Sequence, residues 1–169
     1  DIPYAGRYLK PQRERIELFG DKFNSSSGLR VGLVWEGGFR VNNPSTWGAN
    51  ARRNISFQQL SQISVNGIEF CSLQKGNPAE NLITDQVEMY WGHSNFRNFS
   101  PLIENFSDTA AIIEHLDLVI SVDTSTAHLA AAMGKPVWIL NRFDSCWRWL
   151  TDRVDSPWYP TVRLFRQTY

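Results

Sequence analysis

The residues best placed to do chemistry lie in a polar turn between a predicted buried strand, 118–122, and a predicted small-residue helix, 127–133. The turn consists of Asp123, Thr124, Ser125 and Thr126, and His128 follows one turn into the helix. Hydroxyls and N–H groups at the positive end of a helix favour an anion such as a diphosphate. His128 can direct a ring nitrogen at the same group, while Asp123 has an orienting role. Spacing alone leaves a plain helix cap and a structural histidine equally open.

Three further groups follow predicted strands and are candidates for the same ligand. The Trp35, Glu36 and Gly37 turn contains glycine, which lets backbone approach a ligand, although an ordinary turn is the alternative. Arg53 could neutralise a diphosphate with its guanidinium, whereas for Arg52 a solvated surface position is the stronger alternative. After the second predicted strand, Gln74 and Lys75 could meet a base or ribose, or form an exposed loop.

Other motifs are excluded or favour structural roles. The glycines do not form a G-x-G-x-x-G fingerprint, which disfavours a nicotinamide dinucleotide. His93 and His115 have no second metal ligand at a useful spacing, so we expect no metal site and no cofactor beyond the substrate. Ser107 and Asp108 are expected to cap a helix. We expect the stretch around Trp147 to pack the C-terminal tail across the sheet.

Hydrophobic patterning predicts strands alternating with helices. The expected strands are 29–35, 68–73, 100–103, 118–122, 136–140 and 162–165, and the expected helices are 11–19, 56–63, 79–83, 108–116 and 127–133. Loops are expected at 39–54 and 89–99. This alternation predicts an α/β fold with a doubly wound, mostly parallel Rossmann-like sheet. In the strand order 3-2-1-4-5-6, the first and fourth strands end beside the topological switch point.

Composition indicates an ordinary globular chain. It has 169 residues, 42% apolar and 20% charged, with 17 basic and 17 acidic residues. No basic stripe indicates a nucleic-acid partner, and no apolar run reaches the roughly 20 residues of a membrane helix. Cys71 and Cys146 are expected to be free thiols in a reducing cytoplasm. Because the chain opens on Asp1, we expect 1–28 to be a helix and linker from an upstream domain and 29–169 to be a separate α/β domain.

Several sequence blocks together resemble one family. Six blocks, taken in order, are similar to the C-terminal half of family-9, heptosyltransferase-like glycosyltransferases. They are GLRVGLVWEG, ARRNIS, IEFCSLQKG, the long block ending in DTSTAHLAAAMGKPVW, WRWL and SPWYPTVRLFRQ. The similarity is greatest to the bacterial form fused behind tetratricopeptide repeats. It covers about 28–167, and DTSTAHLAAAMGKPVW is its specific part.

The resemblance implies half of a GT-B fold, in which two Rossmann-like domains face each other across a cleft. It implies that this half binds a nucleoside-diphosphate sugar, with the acceptor domain, the catalytic base and tetratricopeptide repeats elsewhere. By matching position, Asp123, Thr124, Ser125 and His128 would face the diphosphate. The turn 35–37 and Arg53 would line its other side, and Gln74 and Lys75 would lie near the base and ribose.

The expected reaction is inverting and metal-independent, and it transfers a sugar to an unknown acceptor. The amides and hydroxyls of 124–126, together with His128 and Arg53, would stabilise the leaving diphosphate. The alternative is a domain that no longer turns over and serves as a scaffold or binding module. Glu36, an acidic residue beside the expected phosphate site, favours this alternative, and the intact DTSTAH turn disfavours it.

Overall fold

A computed structural model describes residues 6–23, 28–38, 42–92 and 95–168. Its strands are β1 Leu29–Val34, β2 Ile68–Ser72, β3 Phe96–Asn98, β4 Leu118–Val122, β5 Val137–Asn141 and β6 Val162–Arg166. Its helices are α1 Arg13–Gly20, α2 Trp47–Arg53, α3 Phe57–Leu60, α4 Ala79–Tyr90, α5 Phe106–Glu114 and α6 Ser125–Ala132. Short 3₁₀ turns occupy Asp21–Phe23, Pro44–Thr46, Ser61–Ile63, Ser100–Leu102 and Trp147–Trp149.

The six strands form one sheet in the order β3-β2-β1-β4-β5-β6, and every neighbouring pair is parallel. The prediction of a doubly wound Rossmann-like sheet is therefore confirmed. The chain leaves β1 toward one edge of the sheet and returns at β4 toward the other. Val34 lies beside Ser121 in the register, so β1 and β4 end together at the switch point.

Two apolar clusters cover the two faces of the sheet. One cluster joins Val119 and Ile139 of the sheet to residues of α5 and α6 such as Ile112 and Ala131. The other joins sheet residues such as Leu33 to Phe57 of α3 and Ile83 of α4. Because side chains alternate along a strand, central strands buried on both faces are apolar nearly throughout.

The caps of α3 and α5 set how two of the helices begin. Ser56 forms a capping box with Gln59 at the start of α3, as its sequence position predicted. Helix α5 is capped by Asn105, whose side chain accepts hydrogen bonds from the Ser107 and Asp108 amides. The predicted cap at Ser107 is therefore wrong. The extended backbone that a cap residue needs occurs two positions earlier in the chain.

Other boundaries also differ from prediction. The third strand is 96–98 rather than 100–103, because Pro101 lacks an N–H and lies in a 3₁₀ turn. The stretch predicted as a loop at 39–54 contains helix α2, and α4 extends to Tyr90. Residues 24–27 of the predicted linker, and His93, lie outside the described residues.

The N-terminal segment packs on the helical layer. Arg15 forms an ion pair with the buried Asp108 at 3.1 Å, and the Arg7 guanidinium contacts Glu114 at 2.7 Å. The imidazole of His115 is hydrogen-bonded to the Ile16 carbonyl at 2.9 Å, which gives this histidine a structural contact. Cys71 and Cys146 are unpaired, and none of the helices in the described ranges has the length and apolarity to cross a membrane.

Candidate functional site

Two adjoining clefts open at the carboxyl ends of the central strands. The polar cleft, of about 650 Å³, is lined by Gly37, Gly38, Ala49, Asn50, Arg53, Asp123, Thr124, Ser125, His128 and Arg148. The apolar cleft, of about 430 Å³, is lined by Val34, Glu36, Gly38, Lys75, Ile103, Glu104, Asn105, Phe106, Thr109, Thr124, Ser125 and Thr126. The clefts share Gly38, Thr124 and Ser125, so they meet at the switch point, where α/β sheets usually bind ligands.

The polar turn after β4 forms the wall that the two clefts share. Thr124 is the N-cap of α6, and its Oγ1 accepts a hydrogen bond of 3.4 Å from the Ala127 amide. The same hydroxyl is hydrogen-bonded to Ser121 at 2.9 Å, which fixes its rotamer. Ser125 is exposed at the first position of the helix, where amides have no intrahelical acceptor. The turn therefore presents hydroxyls and the positive end of a helix to both clefts.

Arg53 crosses from the last turn of α2 to the turn after β4. Its Nη1 donates to the Asp123 carbonyl at 3.1 Å, and its Nη2 donates to Asn50 Oδ1 at 2.6 Å. The guanidinium lies directly over Gly37, where a Cβ would be only 1.8 Å from Nη2. The Gly37 amide is held in turn by Asn54 Oδ1 at 3.0 Å. Gly37 thus admits an arginine side chain, and the arginine forms part of the floor of the polar cleft.

Asp123 and His128 form a partly buried pair at the far wall of the polar cleft. The Asp123 carboxylate lies 3.6 Å from His128 Nε2, and Nδ1 is hydrogen-bonded to the Tyr159 hydroxyl at 3.1 Å. The imidazole also stacks on Trp149, with ring centroids 5.0 Å apart and planes 18° apart. These contacts hold the imidazole on three sides. The ring is therefore oriented before any ligand arrives.

The surroundings of this pair shift two pKa values. Burial alone would raise the pKa of Asp123, but interactions with His128 and with the nearby Trp149 indole keep it below its usual range. The Trp149 indole N–H lies close to the carboxylate without forming a well-aligned hydrogen bond. Burial raises the pKa of Tyr159 to about 12, so its hydroxyl stays protonated. Asp123 is accordingly a carboxylate near neutral pH that orients His128.

Trp35 and Gln74 are site candidates that the structure places inside the protein. The Trp35 indole is fully buried and packs edge-on against Phe57, at 5.1 Å between centroids. Gln74 is only 1% exposed, and its Oε1 accepts from the amides of Trp35 and Glu36 at 3.1 and 2.9 Å. Its Nε2 donates to the carbonyls of Glu36 and Lys75, both at 3.0 Å. Gln74 therefore shapes the turn after β1 and has no polar atom directed at a base or ribose.

Glu36 and Lys75 both line the apolar cleft. The Lys75 ammonium donates to the Glu80 carboxylate and to the Ser100 carbonyl, the latter at 3.1 Å. Burial raises the pKa of Glu36 above its usual range. Glu36 is a lining residue of the apolar cleft and not of the polar cleft that contains Arg53. The acidic residue and the cationic floor thus face different parts of the site.

Five contributing residues were not among the sequence candidates. Asn50 positions Arg53, Asn105 and Thr109 line the apolar cleft beside α5, and Arg148 lines the polar cleft. Tyr159 was not a candidate either, and its hydroxyl is hydrogen-bonded to His128. The aromatic-basic composition around Arg148 was the only sequence signal for any of them.

Part of the chain matches a known protein family. Residues 79–140, which include β4, the polar turn and α6, match the model of Glycosyltransferase family 9 (heptosyltransferase). The match contains Asp123, Thr124, Ser125, Thr126 and His128, but neither Arg53 nor the turn after β1. This part of the chain is therefore similar to glycosyltransferase family 9.

Solved structures confirm the fold. A glycosyl transferase family 9 protein from Veillonella parvula superposes with a TM-score of 0.66 at 11% identity, covering 98% of this chain and 44% of that one. The ADP-heptose lipopolysaccharide heptosyltransferase II of E. coli gives 0.65 at 13% identity, covering 99% and 47%. These likenesses confirm the α/β architecture found in GT-B glycosyltransferases.

A curated relative is also similar in sequence. The protein FlbA of Caulobacter vibrioides is 28% identical over 170 residues, which is 97% of this chain and 26% of that protein. The chain spans less than half of either solved relative and about a quarter of FlbA.

Proposed function

We propose that the two clefts bind the nucleoside-diphosphate sugar donor of a glycosyltransferase, and that this chain is its donor-binding domain. The observation that carries the proposal is the position of Arg53. Its guanidinium is bonded to the Asp123 carbonyl and lies beside the N-terminus of α6 at the switch point. An arginine, a helix N-terminus and hydroxyls converging on one cleft form a recognition site for phosphate oxygens.

The polar cleft suits the diphosphate. Arg53 and Arg148 supply positive charge, and Ser125 supplies a hydroxyl at the first turn of α6. His128 lies across the cleft with its ring fixed by Tyr159 and Trp149. Negative charge that develops on a departing diphosphate would meet groups that are already oriented, and this preorganisation is what lowers a transition-state barrier.

The apolar cleft suits the nucleoside. Val34, Ile103 and Phe106 provide apolar walls for a base, and Glu36 provides a carboxyl for ribose hydroxyls. Because Glu36 does not line the polar cleft, its charge need not oppose the diphosphate. This placement weakens the strongest sequence argument for a degenerate scaffold. Gln74 supports the site from beneath and leaves recognition to Glu36 and Lys75.

The proposed reaction is an inverting, metal-independent transfer to an acceptor that this chain does not identify. Arg53 and His128 would supply the countercharge for the leaving group. The acceptor-binding domain and the catalytic base are proposed to lie elsewhere in a longer protein that includes tetratricopeptide repeats and resides in the cytoplasm. We expect the isolated domain to bind donor without turnover.

Neighbouring arginines provide the test. Titration calorimetry with UDP, ADP and GDP should detect binding of at least one nucleotide, which Arg53→Gln should weaken about 10- to 150-fold, the range for losing a charge-assisted contact. Arg52→Gln removes the same charge one residue away, from an exposed pair with Asp144 on the other side of α2, and should change affinity less than about twofold.

The outcomes separate the proposal from its alternative. If no nucleotide binds the wild-type domain, the donor-binding role is refuted, and the scaffold interpretation becomes the better one. If nucleotides bind but Arg52→Gln and Arg53→Gln weaken them equally, the charge acts only at long range and the proposed location of the diphosphate is incorrect. Melting temperatures of both variants would establish that each remains folded.

A further inference from the structure

A third cleft, which we call the aromatic cleft, adjoins the polar cleft. It measures about 390 Å³ and is lined by His128, Trp147, Arg148, Trp158 and Tyr159. His128 and Arg148 line both clefts, so a ligand can extend from one into the other. Its volume is within the range of small-ligand sites, at the lower end.

The two indoles form a corner. Trp147 and Trp158 have centroids 6.1 Å apart and planes at 82°, so they present two nearly perpendicular walls. Trp147 is 68% exposed, an unusual degree of exposure for so large an aromatic side chain. Covering the large apolar area of such an exposed ring by a bound partner is favourable.

The corner is held by hydrogen bonds rather than left to pack freely. The Trp158 indole N–H donates to the Arg148 carbonyl at 2.9 Å, and the Trp158 amide donates to Ser156 Oγ at 3.2 Å. The Arg148 guanidinium lies over the Trp147 ring, 5.6 Å from its centroid. The hydrogen bonds fix Trp158, and the cation–π contact keeps a cationic donor beside Trp147.

Polar groups border the aromatic walls. The His128 imidazole and Arg148 lie where this cleft meets the polar cleft, and the Tyr159 hydroxyl is hydrogen-bonded to His128. A site with apolar faces and a few hydrogen-bonding groups at its edge matches a sugar ring. The C–H bonds of such a ring pack on the negative face of an indole while its hydroxyls meet polar side chains.

We propose that the aromatic cleft is a carbohydrate subsite in which a pyranose ring stacks on Trp147 or Trp158. This inference rests on the proposed function for its orientation, since the shared wall at His128 would place the sugar next to the diphosphate. The ring belongs either to the nucleotide-linked donor or to an acceptor saccharide. Both sources present the same C–H face and hydroxyls to the corner.

Chemical shifts of the indole N–H groups provide the direct test. We expect the Trp147 and Trp158 signals to move on adding UDP-glucose, ADP-glucose or GDP-mannose, beyond any change caused by UDP, ADP or GDP. A donor sugar moves them only when linked to a nucleotide. An acceptor sugar moves them when free glucose, galactose, mannose or maltose is added. If neither set moves either signal, the subsite is refuted.

Substitutions give a second measurement. Trp147→Ala should reduce the gain in affinity that the sugar contributes, measured as the ratio of nucleotide to nucleotide-sugar dissociation constants, by about threefold to tenfold. For an acceptor sugar, the affinity for the free saccharide should fall by a similar factor. Trp147→Phe should retain most of the effect. Trp138→Ala removes a partly exposed indole that packs on Phe165 at β6, and should leave both quantities unchanged.

The results distinguish this inference from the proposed function. If nucleotides bind but Trp147→Ala changes neither the ratio nor the saccharide affinity, the donor site stands and the carbohydrate subsite is refuted. If free saccharides move the indole signals while no nucleotide binds, the subsite stands and donor binding is refuted. An aromatic corner that serves only to pack against another protein domain would give no response to any sugar.

Discussion

Substitution of Gly37 by alanine should displace the Arg53 guanidinium from the polar cleft while Arg53 itself remains in the sequence. A Cβ at Gly37 would lie 1.8 Å from Arg53 Nη2 and 2.2 Å from its Cζ, so the guanidinium must leave its position. The φ angle of Gly37 is not in the positive region, so the backbone itself tolerates alanine. The change therefore acts through the displaced side chain. It should break the hydrogen bonds to the Asp123 carbonyl and to Asn50.

The magnitude follows from those two bonds. A hydrogen bond from a charged donor contributes about 1.5–3 kcal/mol to stability. At this partly exposed site water can replace part of the two lost Arg53 hydrogen bonds. We therefore expect the free energy of unfolding to fall by about 1–3 kcal/mol. Loss of the guanidinium from the polar cleft should weaken nucleoside-diphosphate binding about 10- to 150-fold. Urea unfolding and titration calorimetry measure the two effects separately.

A double-mutant cycle tests whether both substitutions act through the same guanidinium. Because Gly37→Ala and Arg53→Gln remove the same guanidinium, the double variant should bind no more weakly than the weaker single variant. Additive losses would mean that Gly37 acts independently, for instance through backbone approach to the ligand. Gly38→Ala is the adjacent comparison, since a Cβ there meets nothing within 4 Å, and it should leave Arg53 in place. Nucleotide affinity of Gly37→Ala equal to wild type would refute the displacement argument altogether.

Three further changes test the supports of the site. Gln74→Ala should lower the free energy of unfolding by about 2–4 kcal/mol, because the amides of Trp35 and Glu36 lose their acceptor in a buried turn. Urea unfolding measures this loss, and a loss below about 1 kcal/mol would contradict the prediction. Thr124→Ala should lower the free energy of unfolding by about 0.5–1 kcal/mol. This is toward the low end for loss of a helix cap, because the hydrogen bond to the Ala127 amide is 3.4 Å long. Thr124→Ser should recover most of this stability. Burial raises the pKa of Glu36, so its charged form costs stability above that raised pKa. The cost declines as the pH falls through the raised pKa and is absent below the unfolded value of about 4.3. Glu36→Gln should therefore raise the melting temperature at pH 7 but not below about pH 4. Equal melting temperatures of the variant and the wild type at pH 7 would contradict a raised pKa for Glu36.

The parts of the fold with strong local signals were predictable. Strand β4 was predicted at its observed bounds, because a continuous apolar run between a helix and a polar turn has few other interpretations. Helix α2 was missed because none of its side chains is buried, so it carries no apolar periodicity. Its composition also hides it, since Gly48 and Asn50 have low helix propensity.

The site was only partly predictable for a different reason. Thr124 and His128 were identified because the cap and the ring lie within one local turn of chain. Gln74 Oε1 accepts from two amides of a turn that lies 38 and 39 residues earlier in the chain. Its Nε2 donates to the Glu36 carbonyl in that turn and to the carbonyl of the adjacent Lys75. No local sequence pattern indicates that the side-chain amide is occupied by these contacts. Gly37 was predicted for backbone approach to a ligand, but the group above it is Arg53, brought there by an unpredicted helix.

The contacts that shape the clefts share one property that bears on function. Gln74 fixes the turn after β1, Asn54 holds the Gly37 amide, and Arg53 ties α2 to the turn after β4. Each is a bond from a side chain to backbone in a different loop. The loops at the switch point are therefore fixed relative to one another by the protein itself. A ligand that enters such a site does not spend binding energy on ordering the loops. Loops that are fixed in advance are typical of a ligand-binding site rather than of a surface that only contacts another domain. Nucleotide binding should therefore change amide hydrogen exchange little in the turn after β1. A large protection there on binding would mean that the ligand, rather than Gln74 and Arg53, orders the site.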